Sequence, residues 1–271
     1  MCPGVCELLV IDNNSTDSTR AVVAEFEGRT RIRYVFEGKQ GLSYARNRAM
    51  EECNSELLLF TDDDVIVDRP WVPRYHASMI EYPDACFFGG RILVGWPEGR
   101  PVWLVDEDLP LLSGVLDKYD LGLEVREYRP EDPLPYGGSF ALRRSLFSTA
   151  GPFRTDLGVS GENPGRGEES EYLERAVRAG FSGVYVGTAV CHHQAELKRL
   201  RIGHLYRYGY YIGVTEVLRR RSRRVDGSYL RSALFGLRGL LQLVKGRGDR
   251  FRQCVINAGI QIGIRQAGGK D

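Results

Sequence analysis

The sequence lacks several features that would each have named a class. Its six cysteines form no Cys-x-x-Cys pair. The chain is also too long, and their spacing too irregular, for a disulfide scaffold. They read as reduced thiols, which predicts a cytoplasmic protein. No stretch reaches the roughly 20 apolar residues of a membrane-spanning helix. The most apolar tail segment, 232–244, is interrupted by Arg238. No basic segment followed by an apolar run opens the chain, so no signal peptide is expected. No G-x-G-x-x-G follows a strand-like run, no G-x-x-x-x-G-K-[ST] is present and no G-x-S-x-G elbow occurs. Dinucleotide folds, P-loop enzymes and α/β-hydrolases are thereby disfavoured. Internal repeats and low-complexity tracts are absent too.

What is present is ordinary for a folded protein. The chain has 271 residues, 42% hydrophobic and 27% charged, which excludes disorder over most of its length. Its net charge of +1 hides a division. Residues 197–271 hold 17 Lys+Arg and 4 Asp+Glu, a balance of +13, and residues 1–196 carry −12. The acidic body disfavours nucleic acid as a partner. The basic tail is a separate object.

Along the body, short apolar runs alternate with helical periods. ELLVID, RIRYVF, ELLLFT and residues 85–93 read as strands. Helices are expected up to about Phe26, over LSYARNRAMEEC and over 71–81. Such alternation indicates βαβ units and a mostly parallel sheet. Residues 95–135, rich in Pro, Gly and acids, read as an irregular insertion. A strand over 136–142, a helix over 168–180 stopped by Gly180, and one or two short strands over 182–191 follow. The helix carries an i,i+4 pair, Glu171 and Arg175. The tail reads as two helices, about 196–221 and 229–245, separated by SRRVDG. The domains expected are 1–195 and 196–271.

Four constellations carry chemistry. Asp62-Asp63-Asp64 ends an apolar strand, the end at which open α/β sheets bind ligands. Three adjacent carboxylates call for positive charge, and a hard divalent cation is the natural candidate; the competing reading is a solvated acidic turn. Asp12 also ends a strand and could accept hydrogen bonds from a base or ribose; the alternative is a turn with Ser15 or Asn14 as N-cap. Glu168, Glu169, Glu171 and Glu174 crowd the start of a helix. Acids there meet the helix dipole, but their repulsion could also raise one pKa toward that of a general base. Cys191-His192-His193 places half of the four histidines after a strand, as metal ligands or as incidental surface.

The order of these blocks carries a resemblance. LLVIDNNSTDSTR, GLSYARNRAM, LLLFTDDDVIVD, GGSFALRRSLFSTAGPF, GEESEYLERAVRAGF and VCHHQ, across residues 7–193, resemble the family 2 glycosyltransferases. The resemblance implies an α/β GT-A fold, a Rossmann-like sheet flanked by helices. It implies a nucleotide-diphospho-sugar donor (a UDP- or GDP-sugar) and a divalent cation, Mn²⁺ or Mg²⁺. Asp12, Arg46, Asp62, Asp63, Gly138 and Ser139 would then bind the nucleotide-sugar. The metal set would be Asp64, Asp62 and His192 around a DXD-type motif. Glu168-Glu169 stands for the family's Glu-Asp pair, with Glu169 as the base. Inversion at the anomeric carbon is expected, in a hexosyltransferase-like enzyme. Relatives usually begin with a further βα unit, and only six residues precede ELLVID here, so that unit is expected to be missing. Two rival expectations remain: a non-catalytic remnant, and a metal-dependent nucleotidyltransferase, which lacks its Gly-rich phosphate loop here. The acceptor is open, with a glycan or a lipid-linked hydroxyl as candidates. Leu230, Leu234, Leu237, Leu241 and Val244 recur at helical spacing beside Arg231, Arg238 and Lys245. With the basic run 219–224, this makes 197–250 a candidate for an anionic membrane surface, or else an apolar face packed on the body.

Overall fold

A computed structural model describes residues 6–106, 108–160, 163–220 and 229–268, with no side-chain description for 163, 164, 220, 229 and 230. The sequence MCPGV and the loop SRRVDG lie outside the described residues, as does most of the 219–224 run.

The chain opens with β1 (Leu8–Asp12), α1 (Thr19–Ala24), β2 (Ile32–Phe36), α2 (Leu42–Glu52) and β3 (Leu57–Phe60). Then come β4 (Val65–Val67), α3 (Trp71–Glu81) and β5 (Phe87–Gly95). The insertion contains α4 (Pro110–Val115) and β6 (Val125–Glu127). It leads to β7 (Phe140–Arg143), α5 (Arg144–Ala150) and a small pair, β8 (Val159–Ser160) and β9 (Asn163–Pro164). Helix α6 (Glu168–Arg178) and the long strand β10 (Gly183–Gln194) complete the body. A 3₁₀ turn (Leu197–Leu200) joins it to α7 (Ile202–Arg220), α8 (Tyr229–Val244) and α9 (Gly248–Gly268). Among its described residues the tail thus shows three α-helices where two were expected.

The sheet is mixed rather than mostly parallel. Strands β1 and β2 pair in parallel as a sheet of their own, and the larger sheet runs β3-β7-β5-β10-β4, with β6 also on β10. Within the larger sheet only β5 and β10 are parallel; β7 lies antiparallel to both β3 and β5. The insertion accounts for this. It carries the chain back across the C-terminal ends of β3 and β5, so β7 enters between them from that side. Among the described residues β1 bonds no strand but β2, and β3 none but β7. The facing edges of β1 and β3 border a cavity.

Local chemistry sets the ends of the elements. Gly180, at φ +90°, terminates α6 in the left-handed conformation that glycine adopts at least cost. The Arg143 guanidinium donates to the Met79 and Tyr82 carbonyls, closing the C-terminus of α3. Phe60 stacks on Phe140 at 4.5 Å across the β3–β7 ladder, and Phe153 stacks on Tyr172 at 4.2 Å beneath α6. These rings build the wall under the cavity.

Candidate active site

One cavity of about 1610 Å³ collects the C-terminal ends of β1 and β3, the N-terminus of α6 and one side of α7. Asp12, Arg46, Asp62, Asp63, Asp64, Gly138, Glu168 and Glu169 all line it. Most of the residues singled out from sequence, drawn from blocks far apart in the chain, therefore meet in one place.

At the β1 end, Asp12 is buried. Its carboxylate accepts from the Ser15 amide at 2.8 Å and from the Tyr34 hydroxyl at 2.5 Å. The Tyr34 bond, more than burial opposes it, holds the carboxyl below its usual range. Asn13 staples the same turn to the start of α2: its Nδ2 donates to the Lys39 carbonyl at 2.7 Å, and its Oδ1 accepts from the Gly41 amide at 2.6 Å.

The centre is an ionic cluster. Arg46, projecting from α2 and buried, donates to Glu168 and lies 3.6 Å from Glu169. Its guanidinium also sits 5.4 Å from the Phe140 ring centroid. A Cβ at Gly137 would fall 2.3 Å from the Arg46 Nη2, so a bare backbone there makes room for the cation. Glu168 is buried, while the Glu169 side chain keeps 14% of its surface exposed toward the cavity. Burial and then the adjacent Glu168 carboxylate push Glu169 up to about 7, against the pull of Arg46. Burial likewise raises Asp62, with Arg46 opposing and Asp117, Asp64 and Glu169 adding to the rise. Asp63 is exposed.

Asp64 accepts from Arg199 Nη2 at 2.8 Å and lies 3.3 Å from His193 Nε2. The His193 bond, followed by Arg199, keeps its carboxyl below the usual range in spite of burial. Burial pulls the His193 imidazole down, but Asp64 and Asp117 outweigh it and hold it above its ordinary value. Asp117, in the insertion, joins this group at 3.2 Å from Arg166 and 3.4 Å from Arg199.

Two site expectations need correction. His192 does not face the acids: it points to the other side of β10, 38% exposed and 3.3 Å from Asp68, while His193 is the one against Asp64. Neighbours on a strand point to opposite faces, and the β10–β4 register pairs His193 with Val65, directly after Asp64. Ser139 does not line the cavity either. It is fully buried, and its hydroxyl takes the Trp71 indole N–H at 2.9 Å and meets the Tyr75 hydroxyl at 2.9 Å, fastening α3 beneath β7. The sequence reading missed Asp117, Arg166 and Arg199, and gave the role at the acids to His192 rather than to its neighbour His193. Only His193 left a signal, as the second of two adjacent histidines.

Among the described residues no three His, Cys, Asp or Glu side chains converge closely enough to hold a metal by themselves. The charge balance nevertheless suits a cation. Asp62, Asp64, Asp117, Glu168 and Glu169 gather around Arg46, Arg166 and Arg199, with His193 behind Asp64. Asp62 and Asp64, half-buried just past the end of β3, offer hard oxygen donors, the kind that Mg²⁺ and Mn²⁺ take together with phosphate oxygens.

The fold and this cluster together define a GT-A nucleotide-diphospho-sugar transferase architecture. The profile of Glycosyl transferase family 2 matches residues 2–151, and the chain belongs to that family. Glycosyltransferase AglE of Haloferax volcanii is 25% identical over 207 residues, covering 73% of this chain and 61% of that protein. Validoxylamine A glucosyltransferase of Streptomyces hygroscopicus subsp. jinggangensis is 40% identical over 76 residues, 27% of this chain and 17% of that protein. The chain thus spans less than two thirds of these relatives. Among solved structures, the mannosyltransferase PcManGT from Pyrobaculum calidifontis, in complex with GDP-Man and Mn²⁺, superposes with TM-score 0.59 at 16% identity, over 96% of this chain and 78% of that one. TarS 1–349 of S. aureus in complex with UDP-GlcNAc superposes with TM-score 0.53 at 14% identity, over 97% and 81%. Both share the fold.

Proposed function

We propose that this chain transfers a glycosyl group from a UDP- or GDP-sugar to an acceptor hydroxyl with inversion. One observation carries the reading: in a single cavity, Glu169 presents a carboxylate of raised pKa beside the paired strand-end aspartates and the buried Arg46. Asp62 and Asp64 would hold a Mn²⁺ or Mg²⁺ ion, which when bound supplies positive charge to the diphosphate leaving group. His193 and Arg199 hold the Asp64 carboxylate in place. Asp12 and the Asn13 staple shape the nucleoside end.

The chemistry then falls to the pair on α6. Glu168 is locked to Arg46, which fixes the first turn of the helix. Glu169 is free to take the proton of the acceptor hydroxyl as its oxygen attacks the anomeric carbon, through an oxocarbenium-like transition state. Attack from the face opposite the nucleotide inverts the centre. Complexes of structural neighbours with GDP-Man and UDP-GlcNAc support the donor class. Acceptor candidates are a glycan or a lipid-linked hydroxyl. Cys53, Cys86, Cys191 and Cys254 are free thiols. Among the described residues no helix is long and apolar enough to cross a membrane.

A donor screen tests the proposal. Nucleotide-sugar hydrolysis should appear with Mn²⁺, vanish with EDTA and return on adding metal. If no UDP- or GDP-sugar is turned over or shifts the melting temperature, the reading is wrong.

A further inference from the structure

Helix α8 leaves an apolar face uncovered. Its inner side rests on α9: the Ser232 hydroxyl donates to the Ala258 carbonyl at 3.1 Å, and a Cβ at Gly239 would touch Cys254 and Phe251 at 3.2 Å. On the side away from α9 stand Leu234, Leu237, Leu240, Leu241 and Val244. Leu237 is 60% exposed and Val244 86%. The steps of three and four between them make a continuous stripe along the helix. Isolated exposed leucines are ordinary, but five on one face of one helix are a contiguous patch of the kind that marks a contact surface.

The charges beside the stripe choose its partner. Arg231, Arg238 and Lys245 recur every seven residues along one edge of it, all exposed. Arg247 and Arg250, also exposed, continue the basic margin past the end of α8. Between 229 and 268 there are seven Lys+Arg and one acid, Asp249, which is buried. A second copy of this chain would set these cations against one another. A bilayer of anionic lipids takes the leucines into its acyl boundary and the cations at its headgroups.

We propose that α8 is an in-plane membrane helix that docks this protein on an anionic bilayer through Leu234, Leu237, Leu241 and Val244. The alternative weighed from sequence, that this face packs on the body, is not what the described residues show: α8 rests on α9 of the tail through its Ser232–Gly239 side, and the leucines stand exposed. The α8 face thereby puts the whole chain on a surface, whether or not the donor reading is correct.

Vesicle flotation with the full chain tests it. Vesicles of phosphatidylcholine with about one third phosphatidylglycerol should carry the protein upward. Pure phosphatidylcholine should carry at least tenfold less, and raising salt should weaken the binding. The double variant Leu237→Glu/Leu241→Glu, at exposed positions, should keep its melting temperature and lose flotation at least tenfold. Arg238→Glu/Lys245→Glu should lose binding to the anionic vesicles alone. Unchanged flotation of the leucine variant, binding indifferent to phosphatidylglycerol, or no binding at all would overturn the proposal. So would a dimer in sedimentation that the leucine variant dissolves, since the face would then belong to a second copy.

Discussion

Glu169 lies 3.6 Å from Arg46 and next to Glu168, and this placement sets a pH dependence. A general base acts only when deprotonated, and the Glu169 pKa is pushed up to about 7. The rate of transfer should therefore climb tenfold per pH unit below 7 and level off above it. Glu169→Gln should lower kcat by about 10²- to 10⁴-fold and remove that limb, while donor binding by calorimetry stays near wild type. Turnover near wild type in this variant would sink the assignment. The same shift acts on stability with the opposite sign. A carboxyl group raised on folding contributes stability below its ordinary 4.5, and loses it as the pH rises toward 7. The Gln variant should accordingly melt higher than wild type above pH 7. The two histidines give a second contrast. His192→Ala, on the exposed side of β10, should change stability by no more than about 0.5 kcal/mol and leave the Mn²⁺ titration unchanged. His193→Ala removes a buried partner of Asp64, so it should cost about 1–3 kcal/mol in urea unfolding and weaken the Mn²⁺ dependence. Here the sequence could bring a histidine to the site but not choose between neighbours. A strand period of two says that they point apart; only the β10–β4 register says which way. Asp117 was out of reach altogether, because its partners Arg166 and Arg199 lie 49 and 82 residues away and its own segment has no period to read.

Between elements, α7 and α9 cross with backbone close against backbone, and glycines make the approach. A Cβ at Gly209 would lie 2.0 Å from the Ile256 carbonyl oxygen, and one at Gly263 would lie 1.9 Å from that of Tyr210. Gly213 and Gly259 face partner backbone as closely. Each helix carries its pair four residues apart, on one face, so the backbones meet with no side chains between them. Gly209→Val or Gly263→Val should destabilise the protein by about 1–3 kcal/mol or more in urea unfolding, as overpacking does. Gly236→Ala on α8, where a Cβ meets open space, should instead be neutral or stabilise by up to about 1 kcal/mol. Equal effects at the two kinds of site would mean that the crossing is looser than drawn. Most elements of the body were legible, because hydrophobic period and turn residues agree there: α3 spans 71–81, as its period predicts. What misled was direction. Alternation of strands and helices suggested parallel pairing, yet β7 turns antiparallel because the aperiodic insertion returns the chain to the C-terminal end of the sheet, the end that β5 leaves. Helix α9 went unread for a related reason: its glycines serve a neighbour rather than an apolar stripe.

For the molecule as a whole, charge and packing divide the chain differently. The charge map separates a body of −12 from a tail of +13 at residue 196, and that map suggested a domain boundary. The hydrophobic map crosses it. Leu104, Leu112, Val115 and Leu116 of the insertion share one buried cluster with Leu200, Leu205, Tyr208 and Ile256 of the tail. The tail also reaches the site. Tyr208 lies under the Arg166 guanidinium at 4.6 Å, and a Cβ at Gly167, just before the first turn of α6, would meet Thr215 at 3.1 Å. Arg219 is paired with Glu174 on the same helix as Glu169. A chain ending at Ala195 would therefore expose four leucine- or valine-sized side chains, each contributing about 1.5–3 kcal/mol when buried, and would unpin the helix that carries Glu169. It should aggregate or melt many degrees lower, with donor binding lost, when compared with the full chain by size exclusion and thermal unfolding. If residues 1–195 instead purify as a monomer with an unchanged melting temperature and bind donor, the boundary marked by charge is also a folding boundary, and the cluster joining insertion and tail is a contact between finished domains. The geometry favours the first outcome, because α7 and α9 cover the insertion's apolar side chains and α7 also walls the cavity that Glu169 lines.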